Sequence, residues 1–486
     1  MNEQARHSLC VVLYAHASTL DDKAPSPTSG ADWLRDLLPL LALLRSLEED
    51  GLPGAVSLCL SPGLLQQLAD PSRQARFERE LARDLDEADD AVRLPGISPA
   101  ARAIRVRTRD ERRALRNLWH DTCDRHLIAE FRRLHRSGRI ELLGSAASHA
   151  ILPLAARNAS ECTAQIRVGL REFERFTGER ARSFWLPHGG FEPGIDDSLA
   201  AGGIETFVGP ADGPGAASQF PWPRLCPSGA IACAVDAVLT SRVLDPEDGY
   251  PASHPPETRR SELADDAALA HLRAQATHFT GTAADEFSRL APDERLSAIR
   301  VLALPLSFLG RGWADGFRWL DAVVRQSAWE QDAFALRSLR DARSCLRIAP
   351  QGYPRSGTAY PDESFESWVC GENAWIRPHL ETAGGRLRAC ARALENPRGL
   401  SLRTIDQGIR EFLLAQNSDL ALAMARADRH PERARCATEI FRDHMSALHR
   451  LLDGLENHPP DRRFLEQREG NNTVFPVLDY RDFAGP

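Results

Sequence analysis

Trp185-Leu186-Pro187-His188-Gly189-Gly190-Phe191-Glu192-Pro193-Gly194 passes from an apolar strand signal through a Pro/Gly-rich turn toward a helix. Residues 183–186 read as a short buried strand, the Pro/Gly-rich run that follows as a loop, and residues 195–201 as a short helix. The same rhythm continues outward in both directions. Upstream, strand signals at 8–15, 55–60 and 139–145 alternate with helical patterns, among them 32–49 and 159–177. In 32–49, Trp33, Leu37, Leu40, Leu41, Leu44 and Leu47 share one face and Gly51 follows as a stop. Downstream, 204–208 is the next strand, 209–227 reads as loop, and 299–304 reads as the last strand. Strands separated by helices predict a parallel sheet or a β/α barrel.

From residue 373 the pattern turns wholly helical, with spans at 373–394, 402–425 and 431–455 and an extended, aromatic tail at 472–484 that packs back on the body. The predicted organisation is therefore a barrel domain over 1–335 with helical insertions near 85–136 and 258–298. A connecting loop region over 336–372 lines a cleft, and a helical domain covers 373–486.

At 486 residues the chain can bury a large core. A net charge of −8 gives no reason to expect a nucleic-acid partner, and no run approaches the roughly 20 apolar residues of a membrane span. Lys23 is the only lysine, which reads as base-composition bias rather than an arginine-specific function. The ten cysteines form no C-x-x-C pair, which favours reduced thiols and a cytoplasmic location.

The opening stretch resembles the Trp-Leu-Pro-Glu-x-x-Tyr-x-Pro-Gly signature of glycoside hydrolase family 57, in its 1,4-alpha-glucan branching enzyme group. Further segments are similar in order: Leu13-Tyr14-Ala15-His16, Gly138-Arg139-Ile140-Glu141 with Ser145, His149 and Pro153-Leu154, and Asp248-Gly249-Tyr250-Pro251. Glu372-Asn373-Ala374-Trp375, Gln416-Asn417-Ser418-Asp419 and Phe475-Pro476 to Tyr480-Arg481 continue the series to the C-terminus. The resemblance implies a distorted β/α barrel of about seven strands with a helical insertion and a C-terminal α-helical domain. It also implies α-1,4-glucan or a maltooligosaccharide as ligand, with a glycogen-metabolism enzyme as a candidate protein partner.

Two departures stand out within the resemblance. The family's nucleophilic Glu falls on His188, and its acid/base Asp falls on Pro305, within Pro305-Leu306-Ser307-Phe308-Leu309-Gly310-Arg311. A retaining mechanism needs two carboxyl groups roughly 5–5.5 Å apart, and neither residue supplies one. The expectation is a homologue inactive in the family mechanism that binds glucan or regulates a glycogen enzyme. Three alternatives stay open: relocated carboxylates, with Glu192, Asp315, Asp362 and Asp419 as candidates; an acid/base pair of His188 and Glu192 on another sugar-like substrate; and a structural protein with a vestigial cleft. Candidate substrate contacts implied by the resemblance are His16, Glu141, His149 and Asp419, with Trp185, Trp313, Tyr360 and Trp375 as stacking platforms. Arg311 reads as a surface arginine. No phosphate loop, Ser-His-Asp order or metal-ligand cluster is legible, so neither cofactor nor metal is expected.

Overall fold

Along strand β1, His7–Ala15, side chains alternate between two faces. Leu9, Val11 and Leu13 face the surrounding helices, whereas Cys10 and Val12 meet Cys59, Leu143, Trp185, Val208, Cys233 and Val301 inside. The computed structural model describes all residues except 1–6, 18–19, 21–31, 156–158, 211–221, 246, 254–264, 291–296, 331–332, 347, 360–364 and 485–486.

The strands that follow are β2 (Val56–Leu60), β3 (Ile140–Ser145), β4 (Ser183–Trp185), β5 (Thr206–Gly209), β6 (Arg224–Leu225), β7 (Ile231–Ala234), β8 (Ile299–Pro305) and β9 (Phe334–Leu336). They run in the order β6-β7-β5-β4-β3-β2-β1-β8, parallel except for β6 against β7, with β9 pairing the start of β1. Beyond β7, Val235 bridges to Val301 of β8 and Asp236 N–H donates to Val301 O at 2.9 Å. That bridge curls the parallel strands into the expected distorted barrel. Fully buried Arg300 secures the seam by pairing with Asp236 and Glu286.

Several boundaries differ from the sequence reading. The Arg-rich insertion is a pair of helices, Pro71–Arg93 and Pro99–Asn117, whose arginines are answered by acids: Arg112 meets Asp84 at 2.9 Å and Arg113 meets Asp89 at 3.4 Å. β6, β7 and β9, two to four residues long, were not among the strands read from the sequence, and β6 falls within the stretch read as loop. The reading of 402–425 as one helix is corrected: the chain forms Gly399–Ala415 and then Ser418–Ala425. At the break, the Asn417 side chain accepts the Asp419 N–H at 2.8 Å and starts the second helix.

The C-terminal helices share a core of Leu387, Ile405, Ile409, Phe412, Phe441 and Leu448, which also takes in Ala147, Ile151, Ala164 and Val168 from the barrel side. The tail folds back as expected. Phe483 is buried, and Asp482 pairs with Arg167 at 3.0 Å and Arg171 at 2.6 Å on the helix Ala159–Thr177. This packing presses the helix break at 416–419 against the ends of the barrel strands.

Candidate functional site

The C-terminal ends of parallel strands leave loops free to carry chemistry on a rigid base. Here His16 follows β1, Ser61 follows β2, His149 follows β3 and His188 follows β4. Asp419 and Ser418 arrive from the helix break to complete the group. His16 Nε2 lies 2.9 Å from Asp419 Oδ2, and its Nδ1 lies 3.0 Å from Ser61 Oγ. The His149 ring stacks on His16 at 3.9 Å, with 9° between the planes. His149 Nδ1 and His188 Nε2 each lie 3.2 Å from the Ser418 hydroxyl, which therefore bridges the two rings. On its other side His188 meets Trp368, with ring centroids 4.7 Å apart.

Two of these histidines hold left-handed backbone, His149 at φ 58° and His188 at φ 54°. Such a conformation costs of order 1–3 kcal/mol per non-glycine residue and persists only where the surroundings enforce it, commonly at functional sites. Burial would raise the Asp419 carboxyl, but the charge of His16 and its hydrogen bond, with His149 and His188 adding to them, hold it far below the usual range. Burial lowers His188 to about 4; Asp419 opposes the shift, and His16 and Arg426 reinforce it. Burial also holds His149 well below an ordinary histidine. Near neutral pH the group is thus an ionised carboxylate beside two uncharged imidazoles.

Not every sequence candidate reaches this cluster. Glu141 sits near the opposite end of β3, paired with Ser57; it accepts the Ser57 hydroxyl at 3.1 Å and the Arg340 N–H at 2.9 Å. Burial raises its carboxyl despite these bonds and one from Ser183. Its place in the structure is a buried tie between the barrel floor and the segment after β9, not the cleft. Trp313 lies in the core against Trp319, at 5.3 Å, and is 5% exposed, so it offers no face to a sugar. Trp185 is 1% exposed and stacks on Tyr14 at 4.6 Å inside the barrel, beneath the cluster rather than lining open space. Trp375, half-buried, packs edge-on to Phe441 at 5.3 Å on the helical side. Tyr360 lies outside the described residues.

Of the relocated-carboxylate candidates, Asp419 joins the cluster, Asp362 lies outside the described residues, and Glu192 and Asp315 are placed elsewhere. Glu192 is exposed. Asp315 is 3.8 Å from Arg318, at the start of the helix Gly316–Glu330. Pro305 ends β8 opposite Tyr14. Arg311 is not a surface residue: its side chain is 15% exposed and lies 3.3 Å from fully buried Asp36. Sequence reading missed Ser61, Ser418 and Trp368. Ser61, just before Pro62, is legible as a helix-start residue and Ser418 lay inside a span read as one helix, but nothing in the sequence says that they would face the histidines.

Residues 71–223 match the family described as glycosyl hydrolase family 57, and residues 379–483 match the one described as 1,4-alpha-glucan branching enzyme, C-terminal. A 1,4-alpha-glucan branching enzyme of Thermococcus kodakarensis is 22% identical over 544 aligned positions, covering 97% of this chain and 78% of that protein. A probable 1,4-alpha-glucan branching enzyme of Mycobacterium tuberculosis is 28% identical over 261 positions, spanning 50% of this chain and 48% of its own length. Among solved structures, a family 57-type branching enzyme from Pyrococcus horikoshii superposes with a TM-score of 0.85 at 20% identity, covering 99% of this chain and 97% of that one. At that identity the superposition establishes the fold.

Proposed function

From its homology to glycosyl hydrolase family 57, and within it to branching enzymes, we propose that this chain is an α-glucan-binding protein that does not run the family's two-carboxylate reaction. The observation that carries the proposal is the content of the cluster. Asp419 is the carboxylate whose charge acts on His188 and His149, and it is already engaged with His16. A retaining glycosyl transfer needs a second carboxyl roughly 5–5.5 Å away, one group to attack the anomeric carbon and one to carry the proton. His188 can hold a proton but is a poor partner for a stable glycosyl link, and Pro305 can do neither.

Binding is a separate matter from turnover. Loss of catalytic carboxyls removes interactions made in the transition state and leaves ground-state contacts in place. His16, His149 and Asp419 present hydrogen-bonding groups at the strand ends, and the buried Trp368 ring backs His188, close enough to report on a ligand bound there. Titration of the protein with maltoheptaose tests this reading. Saturable quenching of tryptophan fluorescence that is weakened in Asp419→Asn supports it, and a flat response at millimolar sugar sinks it.

A second reading, an active branching enzyme or hydrolase with relocated carboxylates, is favoured by the branching activity of the relatives. It requires Glu192, Asp315 or another carboxylate to move to the histidines when glucan binds. Formation of α-1,6 linkages that Glu192→Gln or Asp315→Asn abolishes would select it.

A further inference from the structure

Metal sites are recognised by donor type, spacing and the hydrogen bonds that fix each donor. His16, His149 and Asp419 offer two imidazole nitrogens and a carboxylate oxygen that all lie within 4.8 Å of one another. A tetrahedral ion bonded to nitrogen and oxygen at about 2.0–2.2 Å sets its donors about 3.3–3.6 Å apart, so closing the set takes a contraction of up to about 1.5 Å and a tilt of the stacked His16 and His149 rings that lets both lone pairs converge. No spacing motif announces the set, because its donors come from three distant segments.

The surroundings of the three residues are those of ligands. Ligating histidines are normally held by a hydrogen bond at the ring nitrogen that does not face the metal. His16 Nδ1 is held by Ser61 and His149 Nδ1 by Ser418, which leaves Nε2 of each ring as the donor. His16 Nε2 already points at Asp419 Oδ2. His149 is 4% exposed, and its Nε2 is fully buried with no hydrogen-bond partner among the described residues. A buried ring nitrogen without a partner is costly in a folded protein, and a bound cation would satisfy it.

We propose that His16, His149 and Asp419 form a binding site for a first-row divalent metal ion of the zinc type. Two imidazoles with one carboxylate are a donor set that suits zinc or ferrous iron and is poorly matched to magnesium or calcium, which prefer all-oxygen shells. Three protein donors leave at least one coordination position for a water or a ligand hydroxyl. His188 stands beside the set as a positioning residue, since it shares the Ser418 hydroxyl with His149. The proposal does not depend on glucan binding, and either can fail without the other.

The test uses the full chain stripped with a chelator and titrated calorimetrically with zinc, cobalt(II) and magnesium salts. Zinc should bind one equivalent per chain, cobalt should give the visible absorption of a nitrogen- and oxygen-ligated ion, and magnesium should give no heat. His149→Ala and Asp419→Asn should each weaken zinc binding by more than a hundredfold, and Ser418→Ala by roughly ten- to a hundredfold. His449→Ala, on the helical side against Arg386, should leave stoichiometry and affinity unchanged. Because the ligand variants could misfold, a zinc-soaked crystal of the unaltered protein supplies a second reading. An anomalous peak between His16, His149 and Asp419 confirms the site. No uptake, a peak elsewhere, or undiminished affinity in a folded Asp419→Asn protein overturns it.

Discussion

Glu411→Gln should cost the protein about 3 kcal/mol at neutral pH and loosen the cluster from behind. Glu411 is fully buried on the helix Gly399–Ala415, the element that runs directly into the break carrying Ser418 and Asp419. Its carboxylate accepts hydrogen bonds from His444 at 2.6 Å, from both Arg468 nitrogens at 2.7 and 3.0 Å, from Gln407 at 2.7 Å and from Asn472 at 3.0 Å. Burial would raise this carboxyl, but the bonds from His444 and Arg468 override it and bring it from 4.5 to about 2. That difference of about 2.5 units, at about 1.36 kcal/mol each, gives roughly 3 kcal/mol. The independent expectation for breaking a buried charged pair by removing one partner is about 3–5 kcal/mol, so the two agree. The folded-state value is depressed. The stabilisation is therefore complete above the unfolded value and disappears as the pH falls through about 2. Urea unfolding of both proteins, followed by far-ultraviolet circular dichroism, should show a gap of about 3 kcal/mol at pH 7 that shrinks to less than about half by pH 3. A gap below about 1 kcal/mol at pH 7, or one that widens on acidification, would refute the reasoning.

Gly310→Ala should destabilise by about 1–3 kcal/mol in the same unfolding assay, since a Cβ there would sit 2.1 Å from Asp36 Oδ1 and 2.4 Å from the Arg35 carbonyl oxygen. A neutral outcome would mean that the loop after β8 moves freely over Asp36. The paired change His188→Glu with Pro305→Asp should yield trace hydrolysis of maltoheptaose, detected as new reducing ends, while each single change stays silent because the two groups act as a unit. A folded, glucan-binding double variant without activity would show that the cleft has diverged beyond those two positions.

The barrel was legible because six of its strands carry a buried apolar run and helical periods separate them, from Val11 and Leu13 on one strand to Phe207 and Val208 on another. The resemblance around Trp185 to Gly194 then supplied the closure that periodicity alone leaves open. What stayed hidden was decided by tertiary contact. The break at Asn417 interrupts an apolar helical pattern that continues on both sides, so only the Asn417 side-chain cap on the Asp419 N–H reveals it. Trp313 and Trp185 looked like stacking platforms because glycine and proline neighbour them, yet packing against Trp319 and Tyr14 turns both inward. Glu141 lay in a well-matched segment but at the wrong end of its strand. His16, His149 and Asp419 were separately legible as candidates. Their convergence was not, because 403 residues separate His16 from Asp419.

Product analysis of maltoheptaose after prolonged incubation with the purified protein tests the central claim most directly. Mass-resolved chromatography, with an assay for α-1,6 linkages, would follow the sugar at a concentration that saturates the fluorescence response. The maltoheptaose should be recovered unchanged, bound but not cut or rejoined. The appearance of shorter, longer or branched oligosaccharides in proportion to protein concentration would contradict it.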